Sequence, residues 1–375
     1  MGDRLTPDAE SIHFRPLEAE NQVRPLGVDW IHGSVSAKHN TDPDVQVHWY
    51  DEHTVILRQN MAINYEAPFM FLLFGGASAV LVDTGATASP EFFSLRTVID
   101  GLVAEWLAQH PRDDYPLLVL HSHSHHDHIA GDGQFADRPG TTVVNARLGA
   151  AVDYLGLTAD LDRPARLDLG GRALDCIASP GHDAAAVTFY DAYTGLLLTG
   201  DTVYPGRLYV EDWPAFGATI DRLIAFAEIH PVSHVLGCHI EISTIPGVDY
   251  PIRTIYQPDE PPLEMTVDQL RRIRRAIGEI AGRPGRYVYP EFAGGQLGFG
   301  EPQARVPLGI GLSKGLPAVA YARRNGRPIR RPPRQPSSGA RSCAARLGPG
   351  HRLPPRTAAT WQDRPRHGPW RLEPG

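Results

Sequence analysis

The sequence predicts an α/β (α+β) fold in which two β-sheets stack face to face with helices on the outside. Three observations carry that prediction. Each half of the chain reads as a run of short apolar strands followed by an amphipathic helix. The strands exit into His, Asp and Gly, which places a site along one edge of the stack. The 375 residues are 42% hydrophobic, enough for one large domain or two small ones burying roughly three quarters of the unfolded surface.

The elements follow in order. Residues 1–44 are polar, contain Pro and show no periodicity, so an irregular arm is expected. Residues 45–50 and 54–58 alternate with the period of two of a strand, and Asp51-Glu52-His53 between them reads as a hairpin turn. Residues 68–74 and 79–82 are two further apolar strands, giving an antiparallel meander whose last member ends in Leu81-Val82-Asp83-Thr84-Gly85. Phe92, Phe93, Leu95, Val98, Ile99, Leu102, Val103, Trp106 and Leu107 recur at helical spacing and predict a helix over 90–110. Residues 116–120 predict a buried strand, and 147–155 a second helix.

The second half repeats the pattern. Strands are predicted over 165–169, 173–178, 186–190 and 196–198, then a helix over 213–229 and a strand over 233–236. Their exits read Ser179-Pro180-Gly181-His182, Thr199-Gly200-Asp201 and Gly237-Cys238-His239. Residues 240–264 are Pro-rich and hold Tyr250, Arg253, Tyr256 and Asp259; a loop of this length beside a site reads as a lid. Thr266 with Gln269 three residues on marks the start of a helix over 266–281. Residues 286–289 form a last predicted strand, closing a domain over 45–294.

Charge divides the chain. From Gly295 to Gly375 there are fifteen Lys and Arg against three Asp and Glu, about +12, in a stretch dominated by Arg, Pro and Gly; a disordered basic tail is expected. The net charge is −7, so residues 1–294 carry about −19. Such an acidic core argues against a nucleic-acid groove. The N-terminus lacks a basic and apolar leader pattern, no apolar run reaches membrane-spanning length, and three cysteines make no disulfide framework. The expectation is a cytoplasmic protein with a small-molecule substrate, no nucleic-acid partner for the core and no membrane partner; oligomeric state leaves no readable signal.

The densest chemistry is His121-Ser122-His123-Ser124-His125-His126-Asp127-His128, which contains His-x-His-x-Asp-His. Neutral imidazoles and a carboxylate suit zinc, iron or manganese. A loop at the C-terminal end of a strand can aim successive side chains at one point. A solvated His-rich tract is the plainer alternative, and the acids and histidines at the other strand exits weigh against it.

Taken together, Leu-Val-Asp83-Thr-Gly, Ser-His123-Ser-His125-His-Asp127-His128, Ser-Pro-Gly-His182, Leu-Thr-Gly-Asp201-Thr and Leu-Gly-Cys-His239 resemble, in order and spacing, the five motifs of the metallo-β-lactamase superfamily, and within it the glyoxalase II-like branch. The resemblance covers roughly residues 45–240. It implies a four-layer αββα sandwich of two mixed β-sheets flanked by helices. It also implies two divalent metal ions, zinc first, with iron or manganese as alternatives. His123, His125 and His182 would hold one ion, Asp127, His128 and His239 the other, and Asp201 would bridge them. Asp83 would orient a ligand histidine. Asp127 and Asp201 would be the catalytic carboxylates of a hydrolase that opens a small-molecule thioester, ester or lactone with a metal-bridging hydroxide. The alternative within the resemblance is a persulfide-dioxygenase-like oxidoreductase with a single iron in the first set. A binding scaffold without catalysis fits less well, because no ligand type is missing. One departure concerns substrate: Val203-Tyr204-Pro205-Gly206-Arg207 stands where glyoxalase II-like proteins carry a Cys-Gly-Arg segment. Tyr204 and Arg207 are therefore substrate-contact candidates, with local pairing to an acid as the alternative for Arg207. His121 and His126 are not expected to be ligands, and Cys238 is expected to be a small buried residue.

Overall fold

The computed structural model describes residues 12–18 and 23–296, apart from 159, 281, 282 and 284. The first sheet is built from β1 (Val45–Asp51), β2 (Thr54–Gln59), β3 (Phe69–Phe74), β4 (Ala79–Val82), β5 (Leu117–Leu120) and β6 (Thr141–Val143), side by side in chain order. β1 to β4 are antiparallel, and β4, β5 and β6 run parallel. Between β4 and β5 lies α1 (Leu95–Gln109); α2 (His126–Ile129) follows β5, and α3 (Leu148–Leu155) follows β6.

The second sheet takes β7 (Ala165–Asp168), β8 (Ala173–Ala178), β9 (Val187–Asp191), β10 (Leu196–Gly200), β12 (His234–Gly237) and β13 (Glu264–Met265). Within it β10 and β12 are parallel and the other neighbours antiparallel, because α4 (Trp213–Ile229) carries the chain across from β10 to β12. α5 (Val267–Ile280) follows β13. A small third sheet sets β11 (Arg207–Val210) beside β15 (Ala293–Gln296) and β14 (Tyr287–Val288).

Period-two alternation explains the layering. Ile56, Phe71, Val80 and Leu118 point into the core between the sheets and meet Leu174, Phe189, Leu198 and Leu236. The intervening Val55, Leu72, Leu81 and Val119 face outward against Ile99, Val103 and Trp106 of α1. On the other side Ile177, Leu197 and Val235 meet Ile220 and Leu223 of α4 and Ile273 and Ile277 of α5. With both faces covered, every residue of β3 and β10 is buried. The order helix, sheet, sheet, helix is the four-layer sandwich.

Two helices begin at side-chain caps. Asp212 accepts the Ala215 N–H at 3.0 Å, and Thr266 and Gln269 form the reciprocal capping box. α1 starts later than the spacing predicts, at Leu95. Residues 89–93 are a turn in which Ser89 O accepts the N–H groups of Phe92 and Phe93, leaving Phe92 63% exposed while Phe93 is buried. The segment before β1 is irregular, with one 3-10 turn at Ala37–His39, yet Leu26 and Trp30 belong to the inter-sheet core. The composition change at Gly295 falls inside β15; the basic tail expected from there lies, from residue 297 on, outside the described residues.

At one end of the stack the sheets are tied by Arg172, just before β8. All five of its N–H donors are used: Nε and Nη2 to Asp191, Nη2 to Thr54 Oγ1, and Nη1 to the carbonyls of His53 and Phe74. The opposite end is where β4, β5, β8, β10 and β12 exit, and there the polar motifs gather. No helix among the described residues is long and apolar enough to cross a membrane.

Candidate metal centre

Five strand exits converge. His123, His125 and His182 form one set of donor atoms, all within 4.8 Å of one another, and Asp127, His128, Asp201 and His239 form a second. Asp201 stands between them: its Oδ2 lies 3.9 Å from His123 Nε2 and 3.7 Å from His182 Nε2, and its Oδ1 lies 3.5 Å from His128 Nε2 and 3.4 Å from His239 Nε2. Asp127 Oδ2 is 3.4 and 3.3 Å from the Nε2 atoms of His128 and His239.

The backbone makes this convergence possible at two glycines. Gly200 has φ +53°, and a Cβ there would lie 2.6 Å from the Ser122 Cβ, so only Gly lets β10 deliver Asp201 beside the histidine loop. Gly181 has φ +144°; a Cβ would meet Phe216 Cα at 2.5 Å, where α4 packs under His182.

The far nitrogens of four histidines are each held. His128 Nδ1 donates to Asp83 Oδ2 at 2.9 Å, His182 Nδ1 to Tyr209 O at 2.8 Å, and His239 Nδ1 to Glu66 O at 2.9 Å. Ser122 Oγ gives its proton to Asp83, so its oxygen accepts from His123 Nδ1 at 3.1 Å. Each Nδ1 is therefore the protonated nitrogen of the neutral ring, which leaves Nε2 as the nitrogen able to offer a lone pair toward the centre. His123 Nε2 and Asp201 Oδ1 are buried there without a hydrogen-bond partner. Unpartnered acceptors packed together in a buried site fit divalent cations, not one another.

Electrostatics agree. Burial, with neighbouring imidazoles, holds His123 well below the ordinary histidine range, and burial also lowers His182; both are neutral donors. In the second set burial opposes the imidazolium of His128, but Asp127, Asp201 and Asp83 outweigh it and push it up. His239 is likewise pushed up, to about 9, by Asp201 and Asp127 against burial. Burial opposes the charged form of Asp127 and Asp201 too, and the facing histidines override it, holding both carboxyls below their usual range. This is an environment arranged around positive charge.

Asp83 sits behind both sets at φ +68°, fully buried, accepting from Ser122 N, Ser122 Oγ and His128 Nδ1. His121 lies outside the donor sets, its Nε2 3.3 Å from Asp132 Oδ2; His126 lines the cavity above them. Cys238 is free and buried, its Sγ directed to Asp83, and burial pushes its thiol up, away from nucleophile chemistry. Tyr204 and Arg207 both line the cavity, but their polar atoms are engaged. The Tyr204 hydroxyl donates to Arg207 O, and the Arg207 guanidinium binds Glu241 at 2.6 Å, Asp249 at 3.3 Å and Tyr250 O at 2.7 Å.

Several supporting residues escaped sequence reasoning. Asp183 accepts from both Ser124 N and Ser124 Oγ and clamps the histidine loop to the His182 turn; its position next to His182 was the available signal. Ser122 had none beyond adjacency, and Tyr209 and Glu66 act on the histidines through backbone carbonyls, which no side chain announces.

The cavity over the centre has a volume of about 450 Å³. Its floor includes His125, Asp127, His182, Asp201 and His239. Its walls come from residues 64–66, from Tyr204, Tyr209 and Glu241, and from the loop over 251–254.

Comparison with known proteins is decisive about ancestry. The family model described as "Metallo-beta-lactamase superfamily" matches residues 65–275, more than half of the chain. The chain belongs to this superfamily. Curated relatives include a hydroxyacylglutathione hydrolase of Rhizobium meliloti (strain 1021), 27% identical over 149 residues, 39% of this chain and 55% of that protein. One of Pseudomonas fluorescens (strain SBW25) is 29% identical over 184 residues, 48% of this chain and 66% of that protein. The chain thus spans about half the length of the curated relatives it matches. A solved DIM-1 metallo-beta-lactamase aligns with a TM-score of 0.44 at 13% identity, over 64% of this chain and 100% of that one. In this superfamily member, the His and Asp residues at the strand exits are positioned to bind divalent metal.

Proposed function

We propose that the protein is a hydrolase that holds two divalent metal ions, zinc first, and cleaves a small-molecule thioester, ester or lactone. The observation that carries this reading is Asp201, with one carboxylate oxygen turned to each donor set. His123, His125 and His182 would hold one ion, and Asp127, His128 and His239 the other, with Asp201 shared. Ions held there supply Lewis acidity toward an acyl oxygen and acidify water toward neutral pH.

The chain's own residues do the rest. The Nδ1 partners fix four imidazoles in the donating tautomer. Asp127 and Asp201 both reach the cavity floor, and as carboxylates they would orient an attacking water there. Residues 64–66 and 251–254 wall the cavity and limit water around the acyl group. The names of the curated relatives point toward acyl thioesters. Arg207, committed to Glu241 and Asp249, supports a wall role for the segment after Asp201 in place of glutathione recognition.

The test is metal content per chain by elemental mass spectrometry, for the wild type and Asp201→Ala, with a thioester and lactone screen. Two ions and turnover in the wild type, both reduced in Asp201→Ala, are expected. Full metal and activity in Asp201→Ala would sink the shared-carboxylate reading. One iron per chain with oxygen uptake on a persulfide would replace it with the oxidoreductase.

A further inference from the structure

We propose that Arg253 is the specificity-determining residue of the cavity, and that the substrate carries a carboxylate remote from its reacting acyl group. The proposal rests on the cavity being the substrate site, as argued above, and names the substrate's class.

Arg253 occupies the third position of a turn closed by Thr254 N donating to Pro251 O at 3.0 Å, and its φ is +69°. That backbone conformation is the province of Gly, because a Cβ crowds the adjacent carbonyl. A bulky cation held there is strained, and such strain collects at ligand clamps. The turn itself is held at its base. Tyr250 N donates to Glu241 O, Asp259 N to the Tyr250 hydroxyl, and Gln257 N to His32 O. Beyond it, the buried Glu260 forms a two-pronged pair with Arg58 of β2 at 2.6 and 2.7 Å. The cation is therefore presented on a braced arm.

Its charge is also unspent. Two arginines line the cavity, Arg207 and Arg253. Arg207 is saturated by two carboxylates and a carbonyl. Arg253 is exposed, faces the Tyr65 hydroxyl, and makes no ion pair among the described residues. A guanidinium fork offered to a cavity selects an oxyanion. Glu66 on the same wall would repel a dianionic phosphate more than a singly charged carboxylate, which favours the carboxylate. Ile252, beside Arg253, lines the same cavity and offers an apolar surface to the stem between the two ends of the substrate.

The experiment uses the full chain loaded with zinc, two probes and one variant. Glutarate and butyrate share one carboxylate and an aliphatic stem; only glutarate has a second carboxylate. Calorimetric titration is expected to show glutarate binding at least tenfold tighter than butyrate. Arg253→Gly is expected to abolish that preference while leaving butyrate affinity unchanged and the Tm equal or higher, since Gly relieves the turn. No preference in the wild type, or a preference surviving in Arg253→Gly, overturns the proposal. A turnover arm compares succinyl and butyryl thioesters of N-acetylcysteamine, with KM for the succinyl ester alone expected to rise about tenfold in Arg253→Gly. Equal KM changes for both esters would overturn the assignment. Absence of hydrolysis with an intact, Arg253-dependent glutarate preference would remove the thioester from the hydrolase reading and leave the carboxylate site standing.

Discussion

The most informative single perturbation is Asp83→Asn. Asn is nearly isosteric and tolerates the left-handed backbone at φ +68°, so the change is chemical, not conformational. Asp83 Oδ1 accepts the Ser122 backbone N–H at 2.7 Å, a donor that cannot reverse its role. The Asn oxygen must take that place, which turns the amide NH₂ toward His128 Nδ1, 2.9 Å from the present Oδ2. His128 then has to expose an Nδ1 lone pair and carry its proton on Nε2, the nitrogen that faces Asp127 and Asp201. One charge-assisted hydrogen bond, about 1.5–3 kcal/mol, is lost together with the donating tautomer. At about 1.4 kcal/mol per tenfold, that is a loss of about 10–100-fold in affinity for one ion, the range usual for such partners. The set of His123, His125 and His182 should lose less, because Asp83 reaches it only through Ser122. Competitive titration against a chromophoric chelator resolves the two events, with circular dichroism to verify the fold. Two affinities unchanged within about twofold, or equal losses in both, would refute the tautomer argument.

Two further predictions concern the opposite end of the stack. Arg172→Met leaves the buried Asp191 carboxylate without its cation, and urea unfolding should show a loss of about 3–5 kcal/mol with metal content per folded chain unchanged; a shift below about 1 kcal/mol would contradict the staple. His53 accepts the Trp106 indole N–H at Nδ1, 3.0 Å away, and burial, ahead of its neighbouring charges, lowers its pKa below 6.5. The unfolded chain then binds that proton more readily than the folded one, so this contribution is fully present above pH 6.5 and is lost as pH falls from 6.5 through the lowered value. His53→Gln should flatten the fall in urea midpoint between about pH 7.5 and 5.5; an unchanged slope would exclude His53 as its source.

What the sequence reveals and conceals has a physical pattern. The seven residues grouped at the strand exits were legible as candidates because metal chemistry admits few residue types, and because a strand exit limits where they can stand. α5 was legible at its start because Thr266 and Gln269 form a capping box with their side chains. The start of α1 was not, because Phe92 fits the helical spacing while Ser89 captures the backbone in a turn. The third sheet was legible only at β14, which falls inside the strand predicted over 286–289. Ala293-Gly-Gly-Gln296 has no strand signature, and its parallel pairing with β11 is made entirely by backbone groups.

The unread strand β11 of that sheet nevertheless governs the readable site. β11 carries Tyr209, whose carbonyl fixes the tautomer of His182, and Arg207, whose guanidinium binds Glu241 and Asp249. Sequence alone left Arg207 open between substrate contact and local pairing, since an arginine near a metal motif serves either. The deciding partner, Glu241, stands 34 positions away and also accepts the Arg207 backbone N–H at 2.8 Å. A two-point grip of that kind makes Arg207 part of the wall that holds Tyr209, and through it His182, in register. It also leaves the proposed recognition of a distant anion to the cavity's other arginine, Arg253, at φ +69°.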